Sequence, residues 1–435
     1  MNKRSLLIAG GVLILSLVVR MWGISQPHQV VFDEVHFGKF ITAYCCSHER
    51  VFDIHPPHAK IFIAGTAKLM GYTGGFDFDH IGQEYTGDVS VIALRFLPAL
   101  AGALIPLLVF VLLQQLGVSK QFSILGALLF IFDNAFVLQS RLISLDTILI
   151  ASTLGAITSY LAAQKAEDSA ARSGYLVLAG ALAGLALGTK FTGLAAGGIL
   201  AVLMIGQYFT ASRSQVLSKL LKDGALIAAS ALVVYLGGWL AHYAILTQPG
   251  PADVWQVPSG NVLSDIVEMH QTMFDANYNL TASHPYSSQW WSWPVMQRPV
   301  FYWQASGNRF LYFIGNPLVW WGGTMLFVAA LISLVTRRVR VNALLLIAGY
   351  VISFLPFVGV PRALFLYHYM TPLVFSTLLG LVWLDKISQG DTVRRRIVIG
   401  ISFAVVGLFI VFSPLTYGFA TDTWYTHLFW ASSWR

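Results

Sequence analysis

Charge is what this chain has least of. Only 11% of its 435 residues are Asp, Glu, Lys or Arg, against about 25% in soluble domains. With 56% hydrophobic residues, an ordinary water-soluble globule is excluded. Cysteine is nearly absent, the two present being adjacent at Cys45 and Cys46, so no disulfide framework holds the fold. The pair is expected to pack as two small apolar side chains, a vicinal disulfide being the less expected alternative. The formal surplus of seven positive charges is scattered over short segments between apolar runs, which argues against nucleic acid as a partner. No phosphate loop is present, since Gly188-Thr189-Lys190 lacks the spacing of a Walker motif. No small-x-small cleavage site follows the first apolar run, Leu6 to Val19, which therefore reads as an uncleaved span.

What the chain has in abundance is apolar runs of about 20 residues, the length of helix that crosses a bilayer. Lipid satisfies no backbone polar group, so these runs must be helical. Eleven spans are expected, near 5–24, 91–116, 121–137, 145–163, 175–190, 192–209, 224–246, 317–336, 342–359, 366–384 and 397–413. Placing the amino terminus in the cytoplasm puts Lys120, Lys165, Arg172, Arg213, Lys219, Lys222, Arg337, Arg338, Arg340, Lys386 and Arg394 to Arg396 in cytoplasmic loops, as the positive-inside rule requires. Two long polar segments, about 25–90 and 247–316, then fall outside, with Trp290, Trp291 and Trp293 suited to an interfacial belt. Gly180, Gly184 and Gly188, spaced by four, permit close approach of another helix. Asn279-Leu280-Thr281 is a formal glycosylation sequon that carries little weight.

Chemistry should sit in the polar segments and at the span ends facing them. Asp33 and Glu34 are paired acids just after the first span; a helix amino terminus would account for them equally well. In His55-Pro56-Pro57-His58-Ala59-Lys60 two prolines stiffen the chain and hold His55 and Lys60 in place, the next helix starting at the second proline. Arg95, Asp133, Gln139, Arg141, Asp146, Lys190, Arg362, Tyr367 and His368 lie at span ends that face the Asp33 side. Ionisable groups at such depth are functional candidates. One acid beside several cations suits transfer from a sugar phosphate: the cations stabilise the departing phosphate, and one carboxylate takes the proton of the incoming hydroxyl. A glycoside hydrolase would instead need two cooperating carboxylates.

These residues resemble the protein O-mannosyltransferase family. The likeness rests on Phe32-Asp33-Glu34-Val35-His36-Phe37, His55-Pro56-Pro57 with Lys60, Leu94-Arg95-Phe96-Leu97-Pro98-Ala99, and Gln139-Ser140-Arg141 through Asp146. It continues in His284-Pro285-Tyr286-Ser287-Ser288-Gln289-Trp290 through Trp293-Pro294, Gly315-Asn316-Pro317 with Trp320-Trp321, and Tyr367-His368-Tyr369. The resemblance implies an all-α polytopic membrane protein of the GT-C glycosyltransferase fold with about eleven spans and two extracytoplasmic loops carrying short amphipathic helices, residues 1–435 forming one catalytic domain. It implies an inverting transfer of mannose from polyprenyl (dolichyl) phosphate mannose to Ser or Thr of exported protein at the outer face of the plasma membrane. Asp33 would be the base, with Glu34 beside it in the catalytic pair. Arg95, Gln139, Arg141, Arg362 and His368, with His55, Lys60, Asp146 and Tyr367, would bind the donor and its phosphate. Eukaryotic members carry a β-trefoil MIR domain in the second loop, which is too short for one here, so the prokaryotic form is implied. No metal site and no cofactor besides the lipid-linked donor are assigned, Asp146 being open as ligand or structural acid. Mannose rests on the resemblance alone. The alternatives are a transferase acting on a lipid or cell-wall glycan, and a transporter of the lipid-linked sugar, which would show inverted repeats that this sequence lacks.

Overall fold

The computed structural model describes residues 3–210, 213–280, 283–305, 309–336, 341–419 and 427–434. Thr281 of the sequon and Arg337, Arg338 and Arg340 lie outside these. Fifteen α-helices are described. The first, α1 (Lys3–Met21), leads to the short α2 (Glu34–Thr42) and α3 (His58–Leu69). The bundle follows with α4 (Val91–Gln115), α5 (Lys120–Ile131), α6 (Asn134–Ser140), α7 (Asp146–Ala163), α8 (Ser169–Thr189), α9 (Leu194–Thr210) and α10 (Arg213–Ile245). The second polar segment holds α11 (Val262–Asn279) and two strands, β1 (Val300–Ala305) and β2 (Arg309–Phe313). The chain returns through α12 (Gly323–Thr336), α13 (Val341–Phe354), α14 (Met370–Ile387) and α15 (Asp391–Tyr417).

Among the described residues, 8 helices are long and apolar enough to cross a membrane, or 9 with one bent pair, and two shorter apolar helices run over Phe191–Gln207 and Ala343–Gly359. Length and apolarity thus qualify eight or nine of the eleven expected runs as full spans.

Three expectations are corrected. The run near 121–137 is not one continuous helix: α5 and α6 meet at 58°. The break is held by Asp133, whose carboxylate accepts from Phe136 N at 3.0 Å, Asn316 N at 3.1 Å and the Trp320 indole at 3.0 Å. Asn316 Nδ2 in turn donates to the carbonyls of Phe132 and Val405 at 3.0 and 2.9 Å. A distant segment therefore supplies the partners that a continuous helix would have given its own backbone. Asp133, a candidate for chemistry, is a structural acid.

The second correction is the antiparallel β1–β2 hairpin, with Val300 opposite Phe313 and Ala305 opposite Arg309. Its residues are mostly buried, so the period-2 alternation that would reveal strands is missing. The third is Cys45–Cys46, whose sulfurs are bonded to each other within a π-helical turn over Ala43–Ser47.

The glycines of α8 act as the spacing suggested. A Cβ on Gly180 would lie 2.2 Å from the Ile227 carbonyl oxygen and one on Gly184 2.4 Å from that of Ala231, so α8 and α10 touch backbone to backbone. Gly188 instead makes room for the His58 imidazole, which a Cβ would meet at 2.3 Å. Gly184→Val should lower the thermal unfolding midpoint of the detergent-solubilised protein, by overpacking of about 1–3 kcal/mol. Gly10→Val, with nothing within 4 Å of its Cβ, should leave it nearly unchanged.

Candidate functional site

Glu34 and Arg95 organise one end of the bundle. Glu34 is the first residue of α2 and Arg95 lies in the first turns of α4; their side chains are 1% and 0% exposed. Arg95 donates Nε and Nη2 to the two carboxylate oxygens, each at 2.8 Å. Its remaining N–H groups go to the carbonyls of Ile24, Pro27 and Gln29 at 3.2, 3.0 and 3.1 Å. Glu34 further accepts from Val31 N, Ile143 N and the Tyr85 hydroxyl. Every group of this pair is occupied, as a buried ion pair requires, so Arg95 has no N–H left for a donor phosphate and Glu34 no lone pair for a reacting hydroxyl. The roles expected for both are corrected to positioning. Arg141 is corrected likewise: it donates to the carbonyls of Arg20, Trp22 and Gly23 at 2.6–2.8 Å and lies 4.5 Å from the Tyr417 ring centroid, pinning the turn after α1.

Asp33 is the contrast. It precedes α2 as the N-cap but makes no capping hydrogen bond, and it keeps part of its surface exposed. Phe32 before it has φ +44°, a left-handed conformation that a bulky side chain adopts only under constraint. The constraint is a stack on Tyr302 of β1, with ring centroids 4.2 Å apart and planes within 9°. This turn separates the two acids, sending Glu34 into the core and leaving Asp33 free. Burial pushes the Asp33 carboxyl up to about 7, against the pull of Lys190 and Arg362 and with the push of Asp146 and Asp53. A carboxyl at that value is a proton acceptor near neutral pH.

The surrounding groups are tied to one another. Lys190 ends α8 and Asp146 starts α7, each placed where its charge complements the helix dipole, and Lys190 Nζ donates to Asp146 at 2.6 Å. Gln139 Nε2 donates to the other Asp146 oxygen at 2.8 Å and its carbonyl accepts from the Tyr302 hydroxyl at 2.8 Å. Tyr302 thus joins the stack under Phe32 to the Lys190 pair. Lys60 donates to Asp53 and, at 2.7 Å, to the His55 carbonyl, so the two prolines close a tight polar turn. Burial, followed by Lys190, Lys60 and Arg362, holds the His55 imidazole well below its usual range, and it stays neutral. Tyr367 lies under Lys190, 5.6 Å from Nζ to ring centroid. His368 is held by the Phe365 backbone and stacks on Trp293, with centroids 5.9 Å apart.

Arg362 differs from the other arginines. It makes no hydrogen bond to the described residues, its Nε being buried and unpartnered. It borders a largely apolar cavity of about 330 Å³ lined also by His55, Lys190, Phe191, Phe274, Tyr278 and His368. A second cavity of about 600 Å³, on the side of Ser287, Ser288, Gln289 and Trp290, shares Arg362 with it. The site therefore offers a proton acceptor, an unpaired cation and a greasy groove together.

Of the residues read from the sequence, Asp33, His55, Lys60, Gln139, Asp146, Lys190, Arg362, Tyr367 and His368 form this neighbourhood. Sequence reasoning missed Tyr302 and Asp53. Asp53 stood two residues before His55 in a segment already singled out, whereas nothing in Phe301-Tyr302-Trp303 separated a site tyrosine from a belt of aromatics.

The polytopic helical bundle, with an acid and cations gathered at one end, agrees with the GT-C fold that the resemblance implied. Residues 11–245 match the family described as dolichyl-phosphate-mannose-protein mannosyltransferase, and residues 262–434 match the C-terminal four-span region of protein-O-mannosyltransferase. The chain belongs to the protein O-mannosyltransferase family. It is 34% identical over 247 residues to protein O-mannosyl-transferase 1 of Danio rerio, covering 55% of this chain and 34% of that one. It is 42% identical over 149 residues to dolichyl-phosphate-mannose–protein mannosyltransferase 4 of Schizosaccharomyces pombe, 34% of this chain and 19% of that one. The chain thus spans about a third of the length of the first relative and about a fifth of the second. Its fold matches a chain of the Saccharomyces cerevisiae protein O-mannosyltransferase Pmt1-Pmt2 complex bound to the sugar donor, with TM-score 0.93 at 19% identity over 100% of this chain and 93% of that one. It also resembles ArnT of Cupriavidus metallidurans bound to undecaprenyl phosphate, with TM-score 0.60 at 14% identity over 95% and 76%.

Removing one member of the central ion pair leaves a buried charge alone, at about 3–5 kcal/mol. Glu34→Gln should therefore lower the thermal midpoint strongly, while Asp33→Asn, at a side chain with no partner to lose, should shift it little or upward. Differential scanning of the purified variants checks the contrast.

Proposed function

We propose that this chain is an inverting mannosyltransferase that moves mannose from a polyprenyl-phosphate donor to Ser or Thr hydroxyls of exported proteins. The observation that carries the reading is Asp33, raised to about 7 and within electrostatic reach of Lys190 and Arg362, two cations that border an apolar groove. The groove suits the lipid chain, and the Arg362 guanidinium, desolvated and without a partner, suits the phosphate. Lys190 adds its charge through the Asp146 pair.

The reaction needs one proton transfer. The acceptor hydroxyl oxygen attacks the anomeric carbon from the face opposite the phosphate, the C1–O bond to phosphate breaks, and lipid phosphate leaves with the electron pair. Asp33 takes the hydroxyl proton, and attack opposite the leaving group inverts the anomeric centre. Glu34 and Arg95 hold α2 and the loop before it so that Asp33 stays in place, and Tyr302, Gln139 and Asp146 orient Lys190. Residues 1–435 act as one GT-C catalytic domain in the plasma membrane. The amino terminus is cytoplasmic and the Asp33 end extracytoplasmic, a reading supported by the Lys and Arg of the opposite loops. The likeness to a protein O-mannosyltransferase complex bound to the sugar donor and to ArnT bound to undecaprenyl phosphate supports a lipid-linked donor.

Radiolabelled mannose on synthetic polyprenyl phosphate, offered with a Ser/Thr-rich peptide, should be transferred by the wild type. Transfer by Asp33→Asn should fall by about 10²- to 10⁴-fold, the contribution of a general base. Full activity in a folded Asp33→Asn protein would overturn the base assignment, and label reaching only lipid would overturn the protein acceptor. Because Asp33 must be ionised to accept a proton, kcat/KM should rise with pH and level off above about 7. Arg362→Gln should raise KM for the donor more than it lowers kcat.

A further inference from the structure

At the end of the bundle opposite Asp33 lies a third cavity, used by none of the chemistry above. It is a cavity of about 330 Å³ between the α4–α5 turn, the carboxyl-terminal parts of α12 and α14, and the starts of α13 and α15. Its buried wall is apolar, built from Leu116, Val118, Ala330, Ala343 and Leu379. Its exposed side carries Lys386 and Arg394, next to the exposed Arg395 and Arg396. The single acid in the lining, Asp385, is already engaged: it accepts from Ser119 N at 3.0 Å and Ser119 Oγ at 2.6 Å and sits 3.3 Å from Arg394 Nε. It offsets one cation, and Lys386 has no ion pair among the described residues. Trp383, also in the lining, has a buried indole N–H with no acceptor among the described residues, an omission that costs free energy unless something fills it.

An apolar buried wall beneath cations, with an orphaned N–H donor, is the complement of a phospholipid. We propose that this cavity binds an anionic phospholipid, one acyl chain against Leu116, Val118 and Leu379 and the phosphate on Lys386, Arg394 and the Trp383 indole. Free phosphate would have no use for the apolar wall, and a zwitterionic headgroup would set its own cation against Lys386. The site is separate from the donor groove, which lies beside Asp33, and its occupancy would tie together α4, α12, α14 and α15.

Native mass spectrometry of the purified full chain, with dioleoyl phosphatidylglycerol and dioleoyl phosphatidylcholine at equal concentration, tests this. The wild type should retain phosphatidylglycerol preferentially. Lys386→Gln, at an exposed side chain, should weaken retention about fivefold, the effect of one basic residue on an anionic lipid. Ser333→Trp, which fills the cavity from α12 without altering a charge, should abolish it. Equal retention of both lipids by the wild type, or an unchanged preference in both variants, overturns the proposal. Thermal stabilisation by inorganic phosphate equal to that by phosphatidylglycerol would overturn the assignment to a lipid.

Discussion

The buried Glu34–Arg95 pair is the constraint on which the rest of the site depends. Both side chains are removed from water, and the cost of that transfer is offset only because every donor and acceptor is used. The consequence reaches beyond the pair. Arg95 draws the carbonyls of residues 24, 27 and 29 onto the start of α4, while Glu34 fastens α2 to the segment before α7 through Ile143 N. The loop that carries Asp33 is thereby held at both ends, and the left-handed Phe32 between them is the turn through which the two neighbouring acids part.

That separation resolves what adjacent carboxylates cannot do for themselves. Two acids in one solvated environment would titrate together. Here one is surrounded by donors and paired with a guanidinium, while the other is partly withdrawn from water without gaining a side-chain hydrogen bond, and burial raises it to about 7. The same logic sorts the arginines: Arg95 and Arg141 are spent on backbone carbonyls and a carboxylate, and Arg362, alone of these three, makes no hydrogen bond to the described residues, its buried Nε included. Charge at membrane depth is costly in each case, but only where the chain leaves a partner out is there something for a ligand to supply.

Packing between helices places these groups rather than merely enclosing them. Direct backbone contact of α8 on α10 at Gly180 and Gly184, together with the His58 ring wedged against Gly188 and Gly238, sets where α8 ends and so where Lys190 meets Asp146. The broken α5–α6 pair performs a similar task at Gln139, which reaches Tyr302 and Asp146 only because α6 departs from the line of α5.

By itself the sequence determined the membrane setting, since runs of apolar residues leave the backbone no option but helices. It also gathered the polar span-end residues into one group, since charges at the ends of apolar runs can be assigned to a side by counting the runs. It named Asp33, His55, Lys60, Gln139, Asp146, Lys190, Arg362, Tyr367 and His368 on those grounds or through the family resemblance. It could not tell a paired arginine from a free one, because the carbonyls that occupy Arg95 and Arg141 lie some 70 and 120 positions away and a carbonyl belongs to every residue alike. Nor could it reveal the break at Asp133, whose partners are Asn316 and Trp320, or the role of Tyr302, which depends on a hairpin without the alternation of a half-buried strand. Tertiary structure decided these because hydrogen bonds between distant segments, and not local residue type, determine which charge is neutralised and which is left to act.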